Sequence, residues 1–284
     1  MVYLNGNFIQ KNKAYISVMD RGFLFGDGVY EVFPIYNKYI LGLDPHLNRL
    51  QDGLDSINIK NPHTKDEWIS LINKIISFNK GSDDQAIYLQ VSRGCDEDRN
   101  HTHGDLKPTV YIQSTGLNSR SKEILLKGGS AISRVDIRWS QCNTKATSLL
   151  ANTMYAQEAK ENDAEEAILC RDGVITEGSS SNVFIVKNNC IYTHPKGPLV
   201  LPGITREIII DCANHCGIDL KEVAFDKEAL MNADEVWISS STREVFPITN
   251  IDDQQINNGQ VGPIWSLIYN QYQALKGINP DLVI

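Results

Sequence analysis

The stretch VYEVFPIYNKYILGLDPHLNRLQDGLDSI, residues 29–57, carries the pattern that decides the fold class. Residues 29–36 are rich in β-branched and aromatic side chains and predict a strand, which turns at Asn37-Lys38 into a second short strand. Asp44 as the cap and Pro45 in the first turn then predict the start of a helix. Apolar residues recur after them at helical spacing, at Leu47, Leu50, Leu54 and Ile57.

Similar signals continue on both sides of this stretch. Asn5-Gly6, between two short apolar runs, predicts a β-hairpin because both central residues of a type I′ turn need positive φ. A capping box predicts a second helix from Thr64, and strands are predicted at residues 86–92 and 109–114. These two strands enclose a polar loop, residues 94–107, which is long enough to carry a function.

The second half of the chain follows a polar stretch, residues 117–123, which predicts a linker between domains at residues 1–116 and 124–284. A loop is predicted around residues 20–22. Helices are predicted at 149–161, 204–216 and 264–275, and strands at 131–139, 167–169, 182–186, 236–239 and 245–248. This order lacks the regular strand-helix alternation of a doubly wound fold. We therefore predict an α+β protein of two domains, each a sheet or barrel-like sheet with helices.

Composition excludes several classes of protein. The 284 residues include 27 Lys plus Arg and 35 Asp plus Glu, so the net charge of −8 argues against a nucleic-acid partner. No apolar run approaches the roughly 18 residues that a membrane helix needs, which predicts a soluble, cytoplasmic protein without a membrane partner. The six cysteines form no CxxC motif and are interpreted as buried thiols.

Several familiar catalytic motifs are missing from the sequence, namely GxxxxGK[ST], GxGxxG, HExxH and GxSxG. Of the six histidines, only His101 and His103 lie near each other. A His-x-His pair can bind a metal on an extended strand, but in a polar loop two solvated histidines are the simpler interpretation. No metal site is predicted.

Two segments have the composition of a functional site. Residues 142–146, CNTKA, place Lys145 just ahead of a predicted helix. Residues 176–182, TEGSSSN, put Glu177 beside three hydroxyls, a set suited to a polar ligand and costly to leave in a core. From these residues alone, a surface lysine and an ordinary turn are the simpler interpretation.

Together with DRGFLFGDGVYEV at residues 20–32 and LPGITR at residues 201–206, these segments resemble the fold-type IV pyridoxal-phosphate enzymes. That group comprises D-amino-acid and branched-chain aminotransferases, (R)-amine transaminases and aminodeoxychorismate lyases. The motifs match in order over nearly the whole chain. The resemblance implies pyridoxal 5'-phosphate as the cofactor, bound in a cleft between the two domains.

The resemblance also implies a role for each matched residue. Lys145 forms the Schiff base and moves the proton between the substrate Cα and the cofactor, and Glu177 keeps the ring nitrogen protonated. Arg49 binds the phosphate, although a solvated helix face would also explain an arginine there. The full set of implied cofactor-binding residues is Arg49, Glu177, Ser180, Ser181, Leu201, Gly203, Ile204, Thr205, Ser241 and Thr242.

The sequence after the glycines favours the D-amino-acid branch, because the branched-chain enzymes have Phe-Glu-Gly where this chain has Tyr30-Glu31-Val32. In the D-amino-acid branch a tyrosine, with an Arg-x-His pair from the partner subunit, holds the substrate carboxylate. Here Tyr30, Arg99 and His101 match that pattern, and Ser240 is assigned to the substrate as well. The loop before Arg99 is one residue longer than the family pattern, so a solvated loop is the alternative.

The resemblance therefore implies a homodimeric enzyme that transfers the amine of a D-amino acid such as D-alanine to 2-oxoglutarate or another 2-oxo acid. The alternatives are a branched-chain L-aminotransferase, an aminodeoxychorismate lyase and an (R)-amine transaminase. A binding protein that has kept the fold without the activity is a further alternative, against which the intact Lys145, Glu177 and Arg49 argue.

Overall fold

The structure is a computed structural model that describes residues 1–79 and 84–276 and divides into two compact units. Helices and antiparallel and mixed sheets occur together, which confirms the α+β prediction. The elements of the first unit are β1 (Val2–Leu4), β2 (Asn7–Ile9), α1 (Arg21–Phe25), β3 (Gly28–Tyr36), β4 (Tyr39–Ile40), α2 (Leu43–Ser56), α3 (Lys65–Phe78), β5 (Gln85–Ser92) and β6 (Thr109–Gly116).

Within the described residues, the first unit contains one antiparallel sheet of six strands in the order β2-β1-β6-β5-β3-β4. The opening hairpin is confirmed, with φ of 48° at Asn5 and 93° at Gly6. Helices α2 and α3 bury their apolar stripes on this sheet. The resulting core includes Val29, Phe33, Leu50, Leu54, Trp68, Ile72 and Ile87.

Two helix starts in the first unit differ from their prediction. The N-cap of α2 is Gly42, with φ of 71°, so the prediction of Asp44 as the cap is wrong and Asp44 lies in the first turn. The prediction of a loop around residues 20–22 is also wrong. Helix α1 begins there because the Asp20 carboxylate accepts a hydrogen bond from Gly22 N at 2.8 Å. The capping box at Thr64 is confirmed.

The second unit has a nine-stranded mixed sheet in the described residues. The strand order is β12-β11-β10-β13-β14-β7-β8-β9, with β15 paired to β14, and the β14/β7, β7/β8 and β11/β12 pairs are parallel. The elements are α4 (Lys122–Lys127), β7 (Gly129–Val135), α5 (Leu150–Glu161), β8 (Glu166–Arg171), β9 (Val174–Gly178), β10 (Asn182–Lys187), β11 (Cys190–Thr193), α6 (Ile204–Cys216), β12 (Leu220–Glu222), α7 (Lys227–Met231), β13 (Glu235–Ser240), β14 (Glu244–Ile251), β15 (Gln254–Gln255) and α8 (Pro263–Leu275).

One short segment, Thr144–Leu149, belongs to the first unit although it follows Ser119–Asn143 of the second. The predicted boundaries put this segment in the C-terminal domain. Its placement has a local cause, because two backbone hydrogen bonds join it to the start of β3: Tyr30 N donates to the Lys145 carbonyl at 3.0 Å, and Thr147 N donates to the Gly28 carbonyl at 2.9 Å.

The prediction that the cysteines are buried thiols is correct for Cys142, Cys190 and Cys212 but wrong for Cys95, which is exposed. Cys95 lies in the polar loop after β5, where its thiol is 4.0 Å from Asp20 Oδ2. Residues 1–79 and 84–276 include no helix that is both long enough and apolar enough to cross a membrane. Over the same ranges, no three His, Cys, Asp or Glu side chains converge in a way that could hold a metal ion.

Candidate active site

Lys145 contacts Tyr30 of β3 in two ways. Its backbone carbonyl accepts a hydrogen bond from Tyr30 N, and its side chain packs on the Tyr30 ring. Its Nζ is 4.2 Å from the centroid of that ring, so the ammonium rests on the negative face of an aromatic system. The side chain is half-buried, and within the described chain it forms no ion pair with a carboxylate. The ring contact fixes the position of the amine, and no carboxylate of the described chain is paired with it to hold it protonated.

Arg49 is held by a buried acid rather than lying on a solvated helix face. Its Nε and Nη2 donate to the two Glu31 oxygens at 2.7 and 2.8 Å, and His46 Nδ1 is 2.7 Å from Glu31 Oε2. Burial raises the pKa of Glu31, but the charge and hydrogen bonds of Arg49 outweigh burial and hold that pKa below its usual range. The guanidinium is therefore oriented by Glu31, a residue of the quoted motif that has no predicted role.

Glu177 is a buried carboxylate with three donors around it. Arg138 Nη1 donates to Oε1, while Leu201 N at 2.9 Å and Asn182 Nδ2 at 3.2 Å donate to Oε2. Burial raises the pKa of Glu177 to about 7, against the lowering effect of the Arg138 charge. The carboxyl is thus poised to share a proton near neutral pH.

Arg138 is absent from the predicted site residues. It forms a bidentate pair with Asp136, both contacts being 2.9 Å. Burial raises the pKa of Asp136, but the Arg138 guanidinium outweighs burial and holds that pKa at about 2. A continuous series of ion pairs therefore links Asp136 through Arg138 to Glu177. In the sequence, an acid at 136 and a base at 138 could have suggested the Asp136–Arg138 pair. The contact with Glu177 has no such signal, because Glu177 lies 39 residues further along.

The three serines after Gly178 turn towards a buried acid that the sequence did not single out. The hydroxyls of Ser179, Ser180 and Ser181 all donate to Glu166, the last two at 3.2 and 2.7 Å. Arg243 Nη1 donates to the same carboxylate at 2.9 Å. A serine hydroxyl has one proton, so those of Ser180 and Ser181 are committed to Glu166 in this structure.

Gly203 is the N-cap of helix α6 and packs closely against Asn182. A Cβ on Gly203 would overlap the Asn182 Oδ1 atom, so a larger residue there would displace the Asn182 amide, which donates to Glu177 and to the Leu201 carbonyl. No side chain caps α6 within the described residues, and both Ile204 and Thr205 are buried in its first turn. The first N–H groups of a helix are a favourable binding site for an anion, more so where no cap competes for them.

The turn after β13 carries the remaining predicted residues of this unit. Ser240 Oγ accepts a hydrogen bond from Arg243 N at 3.2 Å, which closes the turn. Ser241 is half-buried and Thr242 is exposed. Because Arg243 also binds Glu166, this turn and the Ser179–Ser181 turn are attached to the same carboxylate.

Arg99 and His101 lie on one aromatic ring of their own unit. The Arg99 guanidinium carbon is 4.9 Å from the centroid of the Phe25 ring, and the His101 ring is 5.6 Å from it. Both side chains are exposed, and no acid within the described chain forms an ion pair with Arg99. The functional ends of both side chains therefore lie against Phe25, and their exposed N–H groups remain accessible to a ligand.

The predicted residues thus form contacts in small groups. In the first unit Lys145 contacts Tyr30, while Arg99 and His101 share Phe25. In the second unit Leu201 is bonded to Glu177. The other predicted residues of that unit lie in the two turns described above and in the first turn of α6.

The family model described as class IV amino-transferase matches residues 28–251. The D-alanine aminotransferase of Bacillus licheniformis is 42% identical over 264 residues, which is 93% of this chain and 92% of that protein. The D-alanine aminotransferase of Listeria innocua is 38% identical over 273 residues, 95% of this chain and 94% of that protein. Among solved structures, the branched-chain aminotransferase of the archaeon Thermoproteus uzoniensis with norvaline has a TM-score of 0.87 at 26% identity, covering 99% of this chain and 96% of that one.

Proposed function

Because this chain belongs to the class IV aminotransferase family, we propose that it transfers the amino group of a D-amino acid such as D-alanine to a 2-oxo acid such as 2-oxoglutarate, with pyridoxal 5'-phosphate as its cofactor. The observation that carries the proposal is the 42% identity to a D-alanine aminotransferase over 93% of the chain. The branched-chain enzyme shares the fold at lower identity, so it supports the architecture alone.

The chemical groups of the predicted site residues fit pyridoxal phosphate. Lys145 offers an amine packed on Tyr30, and Glu177 offers a buried carboxyl with a pKa of about 7, suited to a ring nitrogen that must keep its proton. The uncapped start of α6 and the Arg49 guanidinium suit a phosphate group. The proposed set is completed by Ser180, Ser181, Leu201, Gly203, Ile204, Thr205, Ser241 and Thr242.

When bound, the cofactor supplies an electrophilic carbon and an electron-withdrawing ring. Lys145 Nζ would be the base that removes the proton from the substrate Cα and the acid that delivers it again. The Glu177 carboxylate would accept a hydrogen bond from the protonated ring nitrogen, and Arg138 supports the ionised form of Glu177 by its charge. Ser180 and Ser181 contribute by shaping their turn, because their hydroxyl protons are directed to Glu166.

We assign the substrate carboxylate to Tyr30, Arg99 and His101, with Ser240 as a further substrate contact. Arg99 supports this assignment because it has no acidic partner in the described chain and its fork of N–H donors matches a carboxylate. The packing of Arg99 and His101 on one ring, despite the longer loop, favours a carboxylate clamp over a solvated loop.

We further propose a homodimer in which Arg99 and His101 serve the partner subunit's cofactor site. Exposed apolar side chains near the start of the first unit support self-association, namely Tyr15, Ile16, Val18 and Phe23. Light scattering after size-exclusion chromatography is expected to give a particle of at least two chains, each of 31.8 kDa. A monomer with full activity at the assay concentration would contradict this proposal.

The test of the proposed function is a panel of D- and L-amino acids with 2-oxoglutarate and pyruvate as acceptors. We expect D-alanine to be converted to pyruvate with 2-oxoglutarate as acceptor, and L-leucine to be at least about tenfold poorer in kcat/KM, which corresponds to about 1.4 kcal/mol. Turnover of L-leucine without D-alanine would make the chain a branched-chain enzyme. Release of pyruvate from aminodeoxychorismate without an acceptor would make it a lyase.

A further inference from the structure

Arg21, in the short helix α1, holds the backbone of the loop that carries Arg99 and His101. Its Nη1 donates to the Asn100 carbonyl at 2.6 Å and its Nη2 to the His101 carbonyl at 3.0 Å. The third nitrogen, Nε, donates to Asp27 at 2.9 Å, and the residue is only 4% exposed. Because every guanidinium nitrogen is engaged and buried, Arg21 fixes the backbone and is not a free cation for a ligand.

Phe25, at the other end of α1, lies under the same loop. The guanidinium carbons of Arg21 and Arg99 are 4.8 and 4.9 Å from the centroid of its ring, and the His101 ring is 5.6 Å away at an angle of 50°. One aromatic ring therefore contacts both side chains that we assign to the substrate carboxylate. The hydrogen bonds of Arg21 fix the Asn100 and His101 carbonyls, so the backbone next to the Phe25 ring is held as well.

The rest of this loop has little else to fix it. Residues 97–105 are exposed and contain no helix or strand. An exposed arginine in such a loop samples many rotamers, and ordering it at the moment of binding reduces affinity. Contacts that fix the loop beforehand lessen that loss.

We infer that Arg21 and Phe25 are positioning residues that direct Arg99 and His101 towards the substrate carboxylate, and that they thereby set the preference for substrates that carry one. This inference rests on the proposed function. According to this inference, contacts with α1 determine where Arg99 and His101 point, and the length of the loop before Arg99 does not. The extra residue lies before Arg99, whereas Arg21 binds the carbonyls of Asn100 and His101 after it. The extra residue therefore leaves the position of Arg99 and His101 unchanged.

Arg93 offers a matched control for Arg21. It binds the same Asp27 carboxylate at 2.8 and 3.0 Å, and it donates to the carbonyls of Ile57 and Asn58 at 2.6 and 3.1 Å. It is 8% exposed, so it is about as buried as Arg21. Its side chain binds residues 57–58 where Arg21 binds residues 100–101, so the two arginines differ in what they position.

The experiment compares Arg21→Met, Phe25→Leu, Arg93→Met and Arg99→Ala in the holoenzyme. For each variant we would measure kcat and KM for D-alanine, the inhibition constant of (R)-1-phenylethylamine, which has no carboxylate, and the melting temperature. Arg99→Ala is expected to raise the KM for D-alanine by about ten- to a hundredfold. Arg21→Met and Phe25→Leu are expected to raise the KM for D-alanine by about tenfold with kcat little changed. Binding of (R)-1-phenylethylamine, which has no carboxylate, is expected to be unaffected.

The controls separate positioning from folding. Arg93→Met is expected to lower the melting temperature as Arg21→Met does, without raising the KM for D-alanine. The double variant Arg21→Met/Arg99→Ala is expected to raise the KM by less than the product of the two single effects, because part of the effect of Arg21 acts through Arg99 and the rest through His101. If Arg21→Met does not fold, Phe25→Leu decides, since it leaves every hydrogen bond of Arg21 in place.

A KM for D-alanine that rises in Arg99→Ala but stays at the wild-type value in Arg21→Met and Phe25→Leu would overturn this inference and leave the proposed function intact. Equal losses for D-alanine and for (R)-1-phenylethylamine would also overturn it, because a general distortion affects both ligands. A wild-type protein that does not transaminate D-alanine would instead contradict the proposed function, and this inference with it.

Discussion

Lys145→Ala is expected to lower transamination of D-alanine by at least about 10³-fold while the protein still binds pyridoxal phosphate non-covalently. The loss is large because one amine carries both the covalent link and the proton transfer. The acid that follows Tyr30 on β3, Glu31, does not replace the amine, because it is already bound to Arg49 and His46. The measurement is the steady-state rate together with the absorbance of the retained cofactor.

A matched control for this variant is Lys160→Ala. Lys160 is an exposed lysine near the end of α5, and its replacement is expected to leave the rate unchanged. Activity of Lys145→Ala within tenfold of wild type would exclude the assigned role. A variant that loses activity because it fails to fold would be recognised by its melting temperature.

Glu177→Gln is expected to slow the single-turnover half-reaction with D-alanine by at least about tenfold, while the cofactor stays bound. An amide has no charge with which to hold the proton of a ring nitrogen, and each unit of lost pKa support corresponds to about 1.4 kcal/mol. Glutamine preserves the shape of the site, because its carbonyl oxygen can still accept the hydrogen bond of Leu201 N or Arg138. The effect is therefore expected in the rate and not in folding.

Glu165→Gln provides the comparison for this variant. Glu165 also pairs with an arginine, Arg120, at 2.6 and 3.0 Å, but it is part-exposed and has no assigned role. The two substitutions remove equivalent charges, so a slow half-reaction in Glu177→Gln alone identifies the position as the cause. An unchanged half-reaction rate in Glu177→Gln would refute the assignment of Glu177 to the ring nitrogen.

Local signals in the sequence predicted the elements whose causes are local. The Asn5-Gly6 hairpin depends on two residues with positive φ, and helix α6 was predicted at its observed bounds because its apolar spacing is uninterrupted. Where two local signals competed, the prediction was wrong. Asp44 is a good cap, but Gly42 can take the left-handed conformation two residues earlier and so starts the helix there.

The partners of the site residues could not be predicted, because they come from distant parts of the chain. Arg138 meets Glu177 across 39 residues, and Arg21 meets Asn100 across 79. Each of these arginines is an ordinary basic residue in its own stretch of sequence, and only the folded chain shows that it is buried against a particular carboxylate or carbonyl. The motifs predict Lys145 and Glu177 as site residues, whereas the residues that orient their side chains become visible only in the structure.

The most direct test of the central claim is borohydride reduction of the wild-type protein loaded with pyridoxal phosphate, followed by peptide mapping. We predict that reduction attaches the phosphopyridoxyl group to Lys145 alone, and that prior addition of excess D-alanine without an acceptor prevents this labelling, whereas L-leucine does not. The amine of D-alanine passes to the cofactor, which then has no carbonyl left for the lysine to bind. A label on another lysine, or labelling of Lys145 that D-alanine leaves unchanged, would contradict the account.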